Sequence, residues 1–261
     1  MSALGNVGAM VRKEWRHYFG SPIAWVALAV WTFLFGVFYY FAFTYFAQQS
    51  MAGQGMQFGA PALSLNEYVI EPVLQNMAVV ALFIAPMLTM RLFAEERRQG
   101  TIELLLTSPI THTQMILGKF AAAAGLYALM ILAGMLNFAG LWLYASQPPE
   151  WRPLASGFLA LLLLGSCFLA LGTFISTLTR NQIVAGIVSF CVFLGIWTLG
   201  WADDPAGGTL TRVLAYLGVT THMEDLVKGV LDLKDVVYYL SFIGFGLFLA
   251  QQSIESQRWR A

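Results

Sequence analysis

The chain is 261 residues long, 58% hydrophobic and 15% aromatic, yet only 11% of its residues are charged, where soluble domains carry roughly 25%. That shortage of charge excludes an ordinary soluble fold. Fourteen basic and fourteen acidic residues cancel, so no global basic field draws nucleic acid to the chain, and none is expected as a partner.

The first twenty residues mix Val7, Met10, Val11, Trp15, Tyr18 and Phe19 with Arg12, Lys13, Arg16 and His17. Basic and aromatic residues interleaved at helical spacing predict an amphipathic helix lying in the headgroup plane. The stretch lacks the short apolar run and small-residue cleavage site of a secretory signal, so the first span is expected to stay in the mature protein. A spanning helix needs roughly 20 mostly apolar residues. Six stretches pass that test, near 23–47, 71–90, 116–145, 154–178, 182–201 and 235–254. Ser21-Pro22 and Ser108-Pro109 each offer a hydroxyl N-cap followed by proline at the first helical position; the second lies ahead of span three and predicts a short polar helix or elbow there.

Loop one, about 48–70, is rich in Gly, Gln, Ala and Met and reads as an external lid. Loop two, 91–115, is the most polar and patterned stretch and the best candidate for contact with a soluble partner. Loop five, about 202–234, is half apolar and interrupted by Gly207 and Gly208. Too short to span twice, it predicts partial re-entry or a surface helix. Orientation follows the excess of Lys and Arg on cytoplasmic segments. Arg12, Lys13, Arg16, Arg91, Arg97, Arg98, Lys119, Arg180, Arg258 and Arg260 fall on one side, and only Arg152, Arg212, Lys228 and Lys234 on the other. Both ends are therefore expected inside.

The chemistry-bearing motifs are defined by what is missing. The interiors of the six predicted spans carry no ionisable side chain, so proton or sodium coupling through carboxylates is disfavoured. Asn137 is the notable polar residue deep in a span, and an interhelical hydrogen bond is expected of it. A phosphate-binding GxxxxGK[ST] loop is absent: Gly118-Lys119 is followed by Phe120, and Thr113 stands where the first glycine would. There is no HExxH or GxSxG, and His17, His112 and His222 are scattered. Cys167 and Cys191 lie in apolar runs without a histidine at metal-ligand spacing and read as small hydrophobes. No cofactor or metal is expected in this chain, and no enzymatic activity of its own.

From Ala85 to Lys119 the sequence reads APMLTMRLFAEERRQGTIELLLTSPITHTQMILGK. This stretch resembles the signature region of ABC type-two transporter permeases, most like the gliding-motility-type ABC permease subunits. The pieces that carry the resemblance are the Pro-x-x-Thr-Met-Arg end of span two, Glu95-Glu96, Gly100-Thr101-Ile102-Glu103-Leu104-Leu105-Leu106, Ser108-Pro109-Ile110 and Gly118-Lys119, with Lys13 to Trp25 at the N-terminus. The resemblance implies a single transmembrane domain over 1–261, all-α and integral to the membrane, with six transmembrane helices. It adds an N-terminal in-plane amphipathic helix, a cytoplasmic coupling helix between spans two and three, and an external partly re-entrant segment before span six.

It further implies an exporter in the bacterial cytoplasmic (inner) membrane. Two permease copies, identical or related, would pair with two ABC ATPase subunits that hold the ATP and Mg. Membrane lipid and an auxiliary extracytoplasmic protein complete the implied partners. The coupling element would run from Glu95 to Ile110: Ile102, Leu104, Leu105 and Leu106 suit a ridge that docks in a groove, while Glu95, Glu96, Arg97, Arg98 and Glu103 suit a charged rim that fixes register. Gly100 frees the backbone to bend. In the N-terminal helix, Trp15, Tyr18 and Phe19 would anchor, with Lys13, Glu14 and Arg16 facing headgroups or the partner. The alternative within the same machinery is a mechanotransmitting scaffold that drives an extracytoplasmic machine instead of pumping a substrate.

Overall fold

The computed structural model describes residues 3–54, 64–100, 110–144, 150–202 and 208–258. The described residues form helices α1 (Ala3–Gly20), α2 (Pro22–Gln54), α3 (Glu71–Thr89), α4 (Ala94–Gln99), α5 (His112–Met135), α6 (Ala139–Tyr144), α7 (Trp151–Leu178), α8 (Gln182–Leu199), α9 (Thr209–Leu217), α10 (Thr221–Val227) and α11 (Leu233–Arg258). Among the described residues, six segments are long and apolar enough to cross a membrane, built on α2, α3, α5, α7, α8 and α11. In hydrocarbon every backbone amide and carbonyl must be satisfied within its own segment, which a continuous apolar helix does.

Span four is the axis of the fold. In α7, 78% of the most apolar window is buried, against 11% in α2 and 17% in α8. Helices α3, α5, α8, α10 and α11 all pack on it. Close approach depends on small residues: a β-carbon at Gly165 would overlap the Tyr127 ring, and one at Gly157 or Gly172 would overlap Leu74 or Thr89. These glycines therefore serve packing inside one chain, against α3 and α5. Tyr127 fills the space that Gly165 leaves and donates its hydroxyl to the Leu161 carbonyl at 3.2 Å.

Several local expectations are modified. Pro22 opens α2, but the Ser21 hydroxyl donates backwards to the Tyr18 carbonyl at 3.2 Å and closes α1. Span three begins at His112 behind a capping box in which Thr111 and Gln114 bond each other's backbone amides. The start expected at Ser108-Pro109 lies outside the described residues. Span three also breaks, through a 3₁₀ turn at Leu136–Phe138. Asn137 sits in that break and donates to the Gly134 carbonyl at 2.8 Å, so its bond is within the helix and not between helices. Of loop one, α2 extends to Gln54 and a π turn at Asn66–Ile70 leads into α3. Loop five contains two short helices, α9 and α10, joined at Gly218–Thr220.

Helix α1 lies lengthwise along α5. Asn6 donates to Gln114 at 3.1 Å, Met10 sits against Gly118, and the Trp15 indole N–H donates to the Ala122 carbonyl at 3.1 Å. Contacts that advance in step along both chains mark two helices running side by side in the same direction. The aromatic and apolar residues expected to meet lipid are thus partly turned onto α5.

Candidate functional site

The end of the bundle that carries α4 is held by an ion cluster. Lys119, on the second turn of α5, is buried, and its ammonium lies 3.0 Å from Glu14 Oε1 of α1 and 2.8 Å from Glu96 Oε1 of α4. Lys13, largely exposed, approaches the same Glu96 oxygen at 3.7 Å. The ammonium also sits over the Phe93 ring, 5.2 Å from its centroid, where the ring's negative face adds attraction. One buried cation thus ties together three segments far apart in sequence. In a low-dielectric setting such a pair is tolerable because each charge finds a partner.

The remaining hydrogen bonds of α4 run to span four, and the helix also packs on α8 of span five. The six-residue helix has no capping side chain of its own at Phe93. Instead, the Ser176 hydroxyl of α7 accepts from the Phe93 and Ala94 amides at 3.0 and 3.1 Å, satisfying donors that a helix start leaves open. The Arg97 guanidinium donates to the Thr177 carbonyl. The Thr177 hydroxyl in turn bonds Ser253 of α11 at 2.8 Å. A chain of contacts therefore leads from α4 into spans four and six. At its other end α4 stops at Gly100, whose φ of +71° is the left-handed conformation that glycine adopts freely.

The expected site residues divide. Glu96 and Arg97 face inward, into the cluster and onto α7. Glu95 accepts from Gln99 one turn on, at 3.3 Å, and Arg98 is exposed. Thr101, Ile102, Glu103, Leu104, Leu105 and Leu106 lie outside the described residues. In α1, Lys13 and Arg16 are exposed as expected, whereas Glu14, expected to face headgroups or a partner, is buried against Lys119. Trp15 and Phe19 meet edge to face, and Phe19 meets Trp25 in the same way. Tyr18 has a buried hydroxyl without a partner. Burial first, and the nearby Glu14 carboxylate second, push its pKa upward, against a smaller opposing pull from Arg91.

Beside the cluster opens a cleft of about 530 Å³ lined by Lys13, Glu14, His17, Tyr18, Arg91, Leu92, Glu95, Glu96, Gln99 and Lys119. Basic and acidic side chains share its wall. Lys119, Ser176 and Thr177 are the members that sequence reasoning missed. Lys119 carried a signal, since it is a lysine on an apolar helix, but nothing in the sequence names its two carboxylates. No three His, Cys, Asp or Glu residues gather at metal-binding distance among the described residues.

The chain is similar to the "Probable multidrug ABC transporter permease YbhR" of Escherichia coli strain K12 and to the protein of the same name from Escherichia coli O157:H7. Each is 27% identical over 177 residues, which cover 67% of this chain and 46% of the relative. The match thus spans under half the length of these curated relatives. Across residues 9–250 the sequence matches the family described as ABC-2 family transporter protein, and the chain belongs to that family.

Proposed function

We propose that the chain is the membrane-spanning permease subunit of an ABC exporter, driven by a separate ATPase. Two copies pair, each presenting the segment from Glu95 to Ile110 on the cytoplasmic side to one of two ATPase subunits, with both termini on that side. The observation that carries the reading is the Lys119 cluster. It makes α1, α4 and the foot of span three one rigid body, as a segment pushed by an external motor must be. The links from α4 through Ser176 and Thr177 give that push a route into spans four and six. The multidrug designation of the relatives favours amphiphilic cargo among export substrates. The gliding-motility subtype rests on the sequence motifs between Ala85 and Lys119.

The test is co-expression with the proposed ATPase partner. A detergent-stable complex with stimulated ATP hydrolysis is expected from the natural chain. Leu105→Asp with Leu106→Asp is expected to abolish both, because two carboxylates on an apolar docking ridge remain desolvated and unpaired. Undiminished complex formation and hydrolysis in that variant would overturn the assignment of the coupling segment.

A further inference from the structure

Helix α1 has a second face, apart from the one that carries Met10 and Glu14. Gly8, Val11, Arg12, Trp15, Arg16 and Phe19 recur at alternating steps of three and one, which gathers them on one side of a helix. Together they line an open groove of about 510 Å³. Its floor is apolar. The Trp15 indole N–H is held by the Ala122 carbonyl at 3.1 Å, which fixes the ring in place. The Trp15 and Phe19 ring centroids lie 5.8 Å apart, and those of Phe19 and Trp25 lie 5.4 Å apart. Trp25 also donates to the Phe19 carbonyl at 3.2 Å, across the corner at Gly20 and Ser21. The aromatic row thus leads from α1 onto the flank of span one, where Trp25, Val26, Val30 and Phe33 are exposed on one face.

The depth of the groove follows from its neighbour. Met10 sits against Gly118 and Trp15 reaches Ala122, so Arg12 stands level with the turn of α5 that carries Lys119, and Arg16 about one turn further on. From Phe120 to Met135, α5 has no charged side chain. The two arginines are therefore at the edge of the hydrocarbon, where long basic side chains reach headgroup oxygens. Elsewhere ionisable side chains find one another inside the chain. Lys119 meets Glu14 and Glu96, and at the opposite end of the bundle His222 Nδ1 lies 2.7 Å from Asp235 Oδ1 and Lys234 lies 3.0 Å from Asp232. Arg12 and Arg16 are exposed and have no carboxylate within ion-pair distance among the described residues. The groove thus presents two positive charges and, among the described residues, no negative one.

A guanidinium matches phosphate with two parallel N–H donors. An acidic peptide or a nucleic acid would satisfy the arginines and leave the aromatic floor without cover; an uncharged lipid would do the reverse. We propose that this groove is a selective site for an anionic phospholipid, whose phosphate is held by Arg12 and Arg16 and whose acyl chains start along Val11, Trp15 and Phe19. The site requires that α2 span the membrane, and depends neither on which side α1 lies nor on an ATPase. Glu14, on another face of the same helix, is tied through Lys119 to Glu96 of α4, so the bound lipid braces the helix on which α4 rests.

The test is lipid titration of the purified full chain in detergent, with bound lipid counted by native mass spectrometry. Phosphatidylglycerol and phosphatidylcholine with the same acyl chains are compared. A basic side chain near an anionic headgroup contributes about five-fold to binding. Arg12→Gln with Arg16→Gln is therefore expected to lower the affinity for phosphatidylglycerol roughly 25-fold and to leave phosphatidylcholine binding unchanged. Arg12→Lys with Arg16→Lys keeps both charges and should retain most of the preference. Arg152→Gln with Arg212→Gln, at the opposite end of the bundle, should leave it intact. Glycerophosphoglycerol, the same headgroup without tails, should compete poorly. Equal binding of the two lipids by the natural chain, a preference that survives loss of both charges, or full competition by the tail-less headgroup would overturn the site. If loss of both charges spares the preference but abolishes assembly with the proposed ATPase, the arginines serve a protein partner instead.

Discussion

Lys119 shows how one side chain can hold three segments. Its ammonium is almost wholly withdrawn from water, so its two carboxylates are a requirement and not an ornament. Removing the cation leaves Glu14 and Glu96 facing each other across the space it filled. Breaking a buried pair from one side costs about 3–5 kcal/mol, and Glu96 keeps some contact with water, which argues for the lower end. Lys119→Met is therefore expected to destabilise by about 3 kcal/mol, or roughly 6–12 °C in the thermal midpoint of a chain this size. Glu14→Gln should cost less, since Lys119 retains Glu96 at 2.8 Å. Combining the two should recover part of the loss, because the double variant removes one charge of each sign. Thermal unfolding of the purified chain by tryptophan fluorescence measures all three. A double variant as unstable as the sum of the singles would mean that the groups do not act as one cluster.

At the scale of elements, α4 is short, and by itself a six-residue helix does not repay its nucleation. Its existence depends on what its neighbours lend it. Ser176 supplies the cap, Arg97 reaches the Thr177 carbonyl, and Gly100 ends the last turn. Ser176→Ala is expected to remove about 1 kcal/mol, the usual value of a helix N-cap, and to speed exchange of the α4 amides while leaving α8 and α11 unchanged. Uniform acceleration across the chain would instead indicate global destabilisation. This dependence also explains what could be read in advance. Spans are legible because hydropathy and length act locally: α3 and α7 fall within a few residues of the expected ends. The cap on α4 is not legible, because its acceptor lies 83 residues away in sequence and looks like any serine in an apolar helix. For the same reason Glu14 reads as one more charge on an amphipathic face until α5 is laid beside it, and His222 reads as a lone histidine until α11 brings Asp235 to it.

Over the whole molecule, buried acidic and basic side chains among the described residues sit at the two ends. Glu14 and Lys119 lie at the α4 end, and His222 and Asp235 at the other. Along span four, where burial is deepest, the polar groups are hydroxyls and a thiol: Ser156, Ser166, Cys167, Thr173, Ser176 and Thr177. The Ser156, Thr173 and Thr177 hydroxyls donate to carbonyls of their own helix. Carrying an ion through the middle of this bundle would require a charge to cross roughly 30 Å of hydrocarbon thickness without a relay, which is why ion-coupled carriers place carboxylates there. An ion gradient is therefore expected to contribute nothing to the driving force. Proteoliposomes that contain the chain with the ATPase proposed above provide the measurement. Collapsing the proton gradient with a protonophore at fixed pH should leave ATP-driven cargo movement unchanged. Loss of transport on adding the protonophore would mean that protons cross the bundle by a route its buried side chains do not supply.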